Sequence, residues 1–417
     1  MQVDELKALD QSDQLKHFRN QFHIPTQDGK EVIYLCGNSL GLLPKRTETY
    51  LLDELKAWEK KGVKGHFTGG KPWVSYHELA KDSLAKLVGA GRHEVQAVGS
   101  LTTNLHLLLA SFYQPSGKRL KIIIESGAFP SDFYAVHSHM KMKGVSPEEH
   151  LIELKASDGK DYLPNEEVIE KIREVGDELA LVLMPGVQYY SGQFFDIERI
   201  TAAAHLSGAF MGVDLAHTIG NLPLDLHNAK VDFAVWCTYK YLNSGPGGIG
   251  GMYVHEDHGS DPNFPKLSGW WGHNAKDRFE MANRINPIAT IDGWQLSNAN
   301  VLSSAAHLAS LSIFEEAGIY NMRVKSIQMT SWLATELNKL ENVEVLTPNS
   351  SDERGCQLSI FIKSRGKEIF DYLDTNGVVA DWREPNVIRV APVPLYNTFQ
   401  ELGAFVRILR EAIEKVH

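Results

Sequence analysis

Short apolar runs recur along the chain, separated by stretches whose apolar residues fall three and four apart. Residues 121–125, 179–184, 209–213 and 231–236 have the length and continuous hydrophobicity of strands buried on both faces of a parallel sheet. Between them, residues 166–175 and 197–206 carry helical spacing. This alternation of strand and helix predicts a doubly wound, mostly parallel α/β sheet. Upstream, a helical arm over residues 1–30 turns at Pro25 and Asp28-Gly29, and a short strand over residues 32–36 follows. Leu51, Leu55 and Trp58 sit at helical spacing and predict a core-facing helix, and an apolar helix spans residues 105–112. From about Val301 a long helix with Leu308, Leu311 and Phe314 leads into a smaller unit. That unit has strands at 343–346, 358–362 and around Val378 and Val387, and a last helix that buries Leu402, Phe405, Val406, Leu409 and Ile413. The pattern divides the chain into an N-terminal arm (1–30), a large domain (31–300) and a small C-terminal domain (301–417).

Polar residues gather where these strands end. The run at 209–213 closes on Asp214, and the run at 231–236 is followed by Thr238-Tyr239-Lys240. An acid and a lysine therefore share the crevice at the C-terminal ends of the strands, where open α/β sheets bind ligands. Burying either group is costly unless it is paired or chemically employed. A pyridoxal phosphate site employs both. The lysine holds the cofactor as a Schiff base, and the carboxylate keeps the pyridine nitrogen protonated so that the ring is an electron sink. His217 lies beside this acid, and Gly245, Gly247, Gly248, Gly250 and Gly251 would let the backbone pass close to a bound ring. Ser100, Leu101, Thr102 and Thr103 open the apolar helix either as ordinary caps or as a phosphate cradle. Phe129-Pro130-Ser131-Asp132 lie beyond another strand end, where the aromatic is either core or a ring-stacking platform and the acid either a cap or a ligand group. Asn38-Ser39, bracketed by Gly37 and Gly41, form either a plain turn or a close backbone approach. Arg389 interrupts an apolar strand and must meet a carboxylate, from the protein or from a ligand. His255 and His258 stand in a polar loop without the spacing of a ligand set, so no metal is expected.

Composition narrows the class of protein. A chain of 417 residues is too long for one simple core, and 43% hydrophobic with 23% charged residues is ordinary for a soluble globular protein. With 42 basic against 52 acidic residues the formal charge is −10, and no basic run is long enough to track a nucleic-acid backbone. The N-terminus is charged and amphipathic, without the apolar core of a signal peptide, and no run reaches the roughly 18 apolar residues of a membrane span. Cys36, Cys237 and Cys356 are far apart, which argues against disulfides or a zinc site and for the cytoplasm.

Taken together, these motifs resemble the kynureninases, pyridoxal phosphate enzymes of fold type I in the class V aminotransferase group. The resemblance covers nearly the whole chain: Asn38-Ser39-Leu40-Gly41, Gly65-His66, Phe129-Pro130-Ser131-Asp132, Asp214-Leu215-Ala216-His217, Tyr239-Lys240-Tyr241-Leu242-Asn243, Gly269-Trp270, Ser297-Asn298 and Arg389-Val390-Ala391-Pro392. It implies a large domain with a mostly parallel seven-stranded sheet and a small α+β domain. It also implies cleavage of L-kynurenine or 3-hydroxy-L-kynurenine to the anthranilate and L-alanine, in tryptophan catabolism or NAD biosynthesis. By the same resemblance, Lys240 is the Schiff-base lysine, Asp214 the pyridinium partner, and Leu101, Thr102 and Tyr239 belong to the phosphate end. Phe129, Pro130, Ser131 and Asp132 surround the ring with His217. Trp270 and Asn298 reach over from the second subunit of a homodimer with shared active sites. Ser39, His66 and Asn298 surround the substrate's aromatic ring, whose polar setting favours the 3-hydroxylated substrate, and Arg389 clamps the α-carboxylate. Pro185 departs from the pattern, standing where relatives tend to place a hydroxyl.

Overall fold

Seven strands build the main sheet of the computed structural model, which describes residues 3–157 and 160–416. Residues 1 and 2 of the arm, residues 158 and 159, and His417 lie outside the described residues. In chain order the strands are β1 (Val95–Ala97), β2 (Lys121–Glu125), β3 (Leu151–Leu154), β4 (Leu179–Pro185), β5 (Phe210–Asp214), β6 (Phe233–Cys237) and β7 (Gly250–Val254). Their spatial order is β1-β7-β6-β5-β4-β2-β3. The four pairs from β6 to β3 are parallel, and β7 alone runs against its neighbours β6 and β1. The central strands are buried on both faces because their alternate residues enter different cores. Val182 and Met184 join one apolar cluster with Met211 and Val213, while Leu181 and Leu183 join another with Ile122 and Val235. Helices Asn165–Val175 and Ile197–Leu206 occupy the positions their spacing predicts.

A second sheet holds β8 (Val343–Val345), β9 (Leu358–Ile362), β10 (Asp381–Arg383) and β11 (Val387–Val390) in the antiparallel order β8-β9-β11-β10. Its core is Leu358, Ile360, Ile388 and Val390 against Leu402, Phe405 and Leu409 of the terminal helix Phe399–Val416. Two segments pack across the division drawn at residue 300. Ile33–Tyr34 pair in parallel with Val378–Val379, and Leu35 enters the small core. Helix Val301–Ala317, by contrast, sends Leu311, Ile313 and Phe314 into the core of the main sheet.

One expectation needs correction. Helix Arg46–Lys61 forms, but its apolar stripe does not face the core: Trp58 is 61% exposed and Leu55 43%. The buried face is carried instead by Thr47 and Glu54, whose carboxylate accepts from Trp73 Nε1 at 2.8 Å and from Tyr76 Oη at 3.0 Å. The glycines after Lys240 have uses within the fold itself. A Cβ at Gly251 would strike the Trp236 indole, one at Gly250 would strike the backbone of Ser100, and Gly245 and Gly247 adopt left-handed φ of 90° and 63°.

Candidate active site

The C-terminal ends of β2, β4, β5 and β6 open on a cavity of about 150 Å³. Asp214 closes β5, and Lys240 follows β6, its immediate neighbour in the sheet, so the two side chains enter from adjacent strand ends. The turn that presents Lys240 is held from several sides. Thr238 Oγ1 donates to the Ile249 carbonyl at 2.5 Å, the Asn243 N–H donates to the Lys240 carbonyl at 3.0 Å, and Asn243 itself sits at φ 50°. The glycine-bracketed loop packs against the same turn: the Gly41 N–H donates to the Tyr239 carbonyl at 2.8 Å. A Cβ at Gly41 would collide with the Lys240 carbonyl, so this loop is the close approach and not a plain turn.

Electrostatics divide the polar groups into distinct roles. Asp214 Oδ1 accepts the Ala216 N–H at 2.6 Å, and its side chain is hydrogen-bonded to that of Asp132. Burial raises the pKa of both carboxyls. Asp132 is driven well above the carboxylate range, with the neighbouring Asp214 charge as the second cause, whereas the bonds to Asp132 and Ala216 hold Asp214 down. Of the two, Asp132 holds its proton the more tightly and donates it to Asp214. Lys240 Nζ lies 2.8 Å from His217 Nε2 and 5.7 Å from the centre of the Phe129 ring. Burial first, then the charge of Lys240, holds His217 well below the usual histidine range. The imidazole is neutral at pH 7, and its Nε2 accepts from the lysine.

The remaining residues fall into three groups. Leu101, Thr102, Ser131 and Tyr239 line the same cavity. Ser100 caps helix Leu101–Phe112, Thr102 Oγ1 lies 2.6 Å from Ser131 Oγ, and Pro130 opens the next helix, Pro130–Met142, with its φ already suited to a first turn. Pro185 ends β4 opposite Asp214 and offers no hydroxyl. Ser39 bonds Cys36 beside the arginine cluster of the small sheet. Arg389, 1% exposed, meets a protein carboxylate: Nη2 donates to Asp381 Oδ2 at 2.6 Å, and Nη1 donates to the Tyr189 carbonyl at 2.6 Å. His66, Trp270 and Asn298 do not reach this cavity from within the chain. His66 packs edge-on to Trp73 at 5.4 Å, Trp270 Nε1 donates to the Arg278 carbonyl at 3.3 Å, and Asn298 lines a separate hollow with Ser100.

Sequence reading missed Glu125, Tyr189 and Asp381. Glu125 ends an apolar run just as Asp214 does, and that signal was available; burial, then the nearby Asp214, pushes its pKa up to about 8. Asp381 gains its role from the pairing of neighbouring strands within the small sheet, and Tyr189 from the contact of its carbonyl with Arg389.

The donor set fits pyridoxal phosphate. A lysine amine and an aspartate carboxyl line the same cavity, with hydroxyls and a helix N-terminus beside them. Buried Asp132 Oδ1 and His217 Nδ1 have no protein partner, which leaves polar atoms for a bound group. Two other clusters bring metal-type ligand atoms within 4.8 Å of one another, Glu94-His227-His255 and His77-Glu78-Asp292. Both are already engaged. Glu94 accepts from the N–H groups of Gly91 and Glu256 and pairs with His227, and Lys81 bridges Glu78 and Asp292.

Comparison with known proteins agrees with this chemistry. Residues 322–409 match the kynureninase C-terminal domain model. A kynureninase from Flavobacterium psychrophilum is 48% identical over 98% of this chain and 97% of its own length, and one from Myxococcus xanthus is 44% identical over 97% and 95%. Among solved structures, a C-DES mutant with glycine covalently linked to its PLP cofactor superposes with a TM-score of 0.76 at 19% identity, covering 94% of this chain and 98% of its own. The cysteine desulfurase CsdA from Escherichia coli gives 0.76 at 16% identity, over 96% and 98%. Those two share the fold. The thiols here do not suit desulfuration: Cys237 and Cys356 are buried, and burial pushes Cys36 and Cys356 up to about 12. A fold type I scaffold, a lysine-aspartate site between its strand ends and near full-length identity place the chain in one family: it belongs to the kynureninases.

Proposed function

We propose that this chain hydrolyses the Cβ–Cγ bond of L-kynurenine or 3-hydroxy-L-kynurenine, releasing the corresponding anthranilate and L-alanine with pyridoxal phosphate as cofactor. The observation that carries this reading is the convergence of Lys240 and the Asp214 carboxyl on one cavity beside a neutral His217. Bound there, the cofactor supplies an electron sink for the substrate's α-carbon. Lys240 Nζ holds it and, once displaced by the substrate's amine, takes the α-proton. Asp214 keeps the ring nitrogen charged, and the Asp132 proton holds Asp214 in place. Neutral His217 accepts from the lysine and adds no second positive charge beside it. Phe129 stacks on the ring, and Leu101, Thr102, Ser131 and Tyr239 secure the phosphate at a helix N-terminus. Arg389 takes the α-carboxylate. One water enters overall: its oxygen ends in the aromatic acid's carboxylate, and the alanine fragment gains a proton at Cβ.

We read the active form as a cytoplasmic homodimer of the kynurenine pathway. Support for two subunits comes from apolar side chains left bare on one chain, Trp58, Phe67, Trp270, Phe279, Met281 and Ile285. His66, Trp270 and Asn298 would then serve the neighbouring site. No helix among the described residues is long and apolar enough to cross a membrane.

The test is anthranilate fluorescence from purified holoenzyme given L-kynurenine, and the equivalent product from the 3-hydroxy compound, which is expected to show the larger kcat/KM. Lys240→Ala should abolish both turnover and the yellow of the lysine-bound cofactor. A cofactor-loaded protein that released no anthranilate from either compound would overturn the reading.

A further inference from the structure

Arg389 is not free to meet a substrate as an isolated cation. In the small sheet it stands directly across from Asp381, in register between β11 and β10, and the ion pair closes at 2.6 Å. The same carboxylate is shared: Asp381 Oδ1 lies 3.0 Å from Arg383 Nε. Both guanidinium groups lie 5.9 Å from the centre of the Tyr189 ring, which itself lines the lysine cavity, and the Tyr189 carbonyl accepts from Arg389 Nη1. Arg389 has five N–H donors, and its Nε is buried without a partner. The guanidinium is thus held on two sides with a donor still unused.

We propose that Asp381 is a positioning residue for carboxylate recognition: through its shared pair with Arg383 it fixes the Arg389 guanidinium in the orientation that receives the substrate's α-carboxylate. The inference rests on the reading that Arg389 binds that carboxylate. Charge follows the same logic. Two guanidinium groups and one carboxylate leave one net positive charge, which matches one monoanionic α-carboxylate. A lone buried Arg389 would have to find its own counter-ion and orientation each time substrate arrived. With Asp381 and the Tyr189 carbonyl in place, the planar fork is set beforehand, and less order is lost on binding. Arg383 keeps Asp381 from bending fully toward Arg389 and occupying the substrate's place.

The experiment uses the holoenzyme and four variants, Asp381→Ala, Asp381→Asn, Arg383→Gln and Arg389→Gln. For each, KM and kcat are measured with L-kynurenine, together with the inhibition constants of L-alanine, which carries the α-amino acid group, and of anthranilate, which does not. Asp381→Ala should raise KM and the L-alanine constant about ten- to a hundredfold, the range of one hydrogen bond to a charged group. Its kcat, its anthranilate constant and its cofactor absorbance should stay near wild type. Asp381→Asn keeps an acceptor oxygen and should show a smaller rise, and Arg383→Gln should move the same two constants in the same direction. If Asp381→Ala does not fold, the other two variants decide. Unchanged KM and L-alanine constants in folded Asp381→Asn and Arg383→Gln, with a large rise in Arg389→Gln, would overturn the positioning role alone. An Arg389→Gln variant that still bound L-alanine as wild type does would overturn the carboxylate reading beneath it.

Discussion

Glu125 shows how much one side chain can carry unseen. It ends β2 inside the cavity, buried beside Asp214, with its pKa pushed up to about 8 by burial first and by that neighbour second. A carboxyl whose pKa rises on folding stabilises the fold fully below its unfolded value near 4.5, and that contribution is lost as pH rises through about 8. The loss is on the order of a few kcal/mol. Glu125→Gln removes it, so the holoenzyme's melting temperature should fall less for the variant than for wild type between pH 5 and 9. Parallel melting curves across that range would mean that folding leaves the Glu125 pKa where it is in the unfolded chain. The Asp214-Lys240 pair was legible because a charged residue at the end of a buried run has few bland explanations. Asp132, Thr102 and Phe129 left two readings each; in the structure Asp132 bonds Asp214, Thr102 bonds Ser131, and the Phe129 ring lies 5.7 Å from Lys240 Nζ.

At the scale of elements, the loop at residues 37–41 and the turn at residues 238–243 form one unit, although they are far apart in sequence. Gly41 has no room for a methyl group because backbone atoms of the lysine turn occupy it. Gly41→Ala should therefore cost about 1–3 kcal/mol, the usual penalty of overpacking, and shift Lys240 enough to lower cofactor occupancy. Thermal melting and the absorbance of bound cofactor measure both. A variant with wild-type occupancy would place Gly41 outside the presentation of the lysine. Strands and most helices were legible at this scale, since uninterrupted apolar runs can only be buried. Helix Arg46–Lys61 was legible as a helix but not in its orientation. Its stripe of Leu55 and Trp58 looks like any core face, but the helix is held by its other side, through Glu54 to Trp73 and Tyr76 and through Arg46 to Ser312 and Glu316.

For the whole molecule, the outward stripe and the distance of Trp270 and Asn298 from the Lys240 cavity lead to one expectation. If each site draws on two chains, Lys240→Ala and a Trp270→Ala/Asn298→Ala double variant are each nearly inactive alone. Mixed and allowed to exchange in equal amounts, they should recover roughly a quarter of wild-type activity, because half of the dimers are mixed and each of those has one intact site. Recovery no greater than the sum of the separate activities would show that sites are not shared.

What the sequence determined by itself is what local chemistry forces. Buried runs specify an open α/β sheet, alternation with helices specifies parallel order, and polar residues at strand ends specify where the site lies. The tertiary structure alone decided everything that depends on which distant backbones meet. It brought the Tyr189 carbonyl onto Arg389, placed the 37–41 loop on the lysine turn, set Asp132 against Asp214, and packed Ser100 and Trp236 against Gly250 and Gly251. Register, burial and pKa are properties of pairs of residues far apart in the chain, and hydrophobic periodicity carries no information about such pairs.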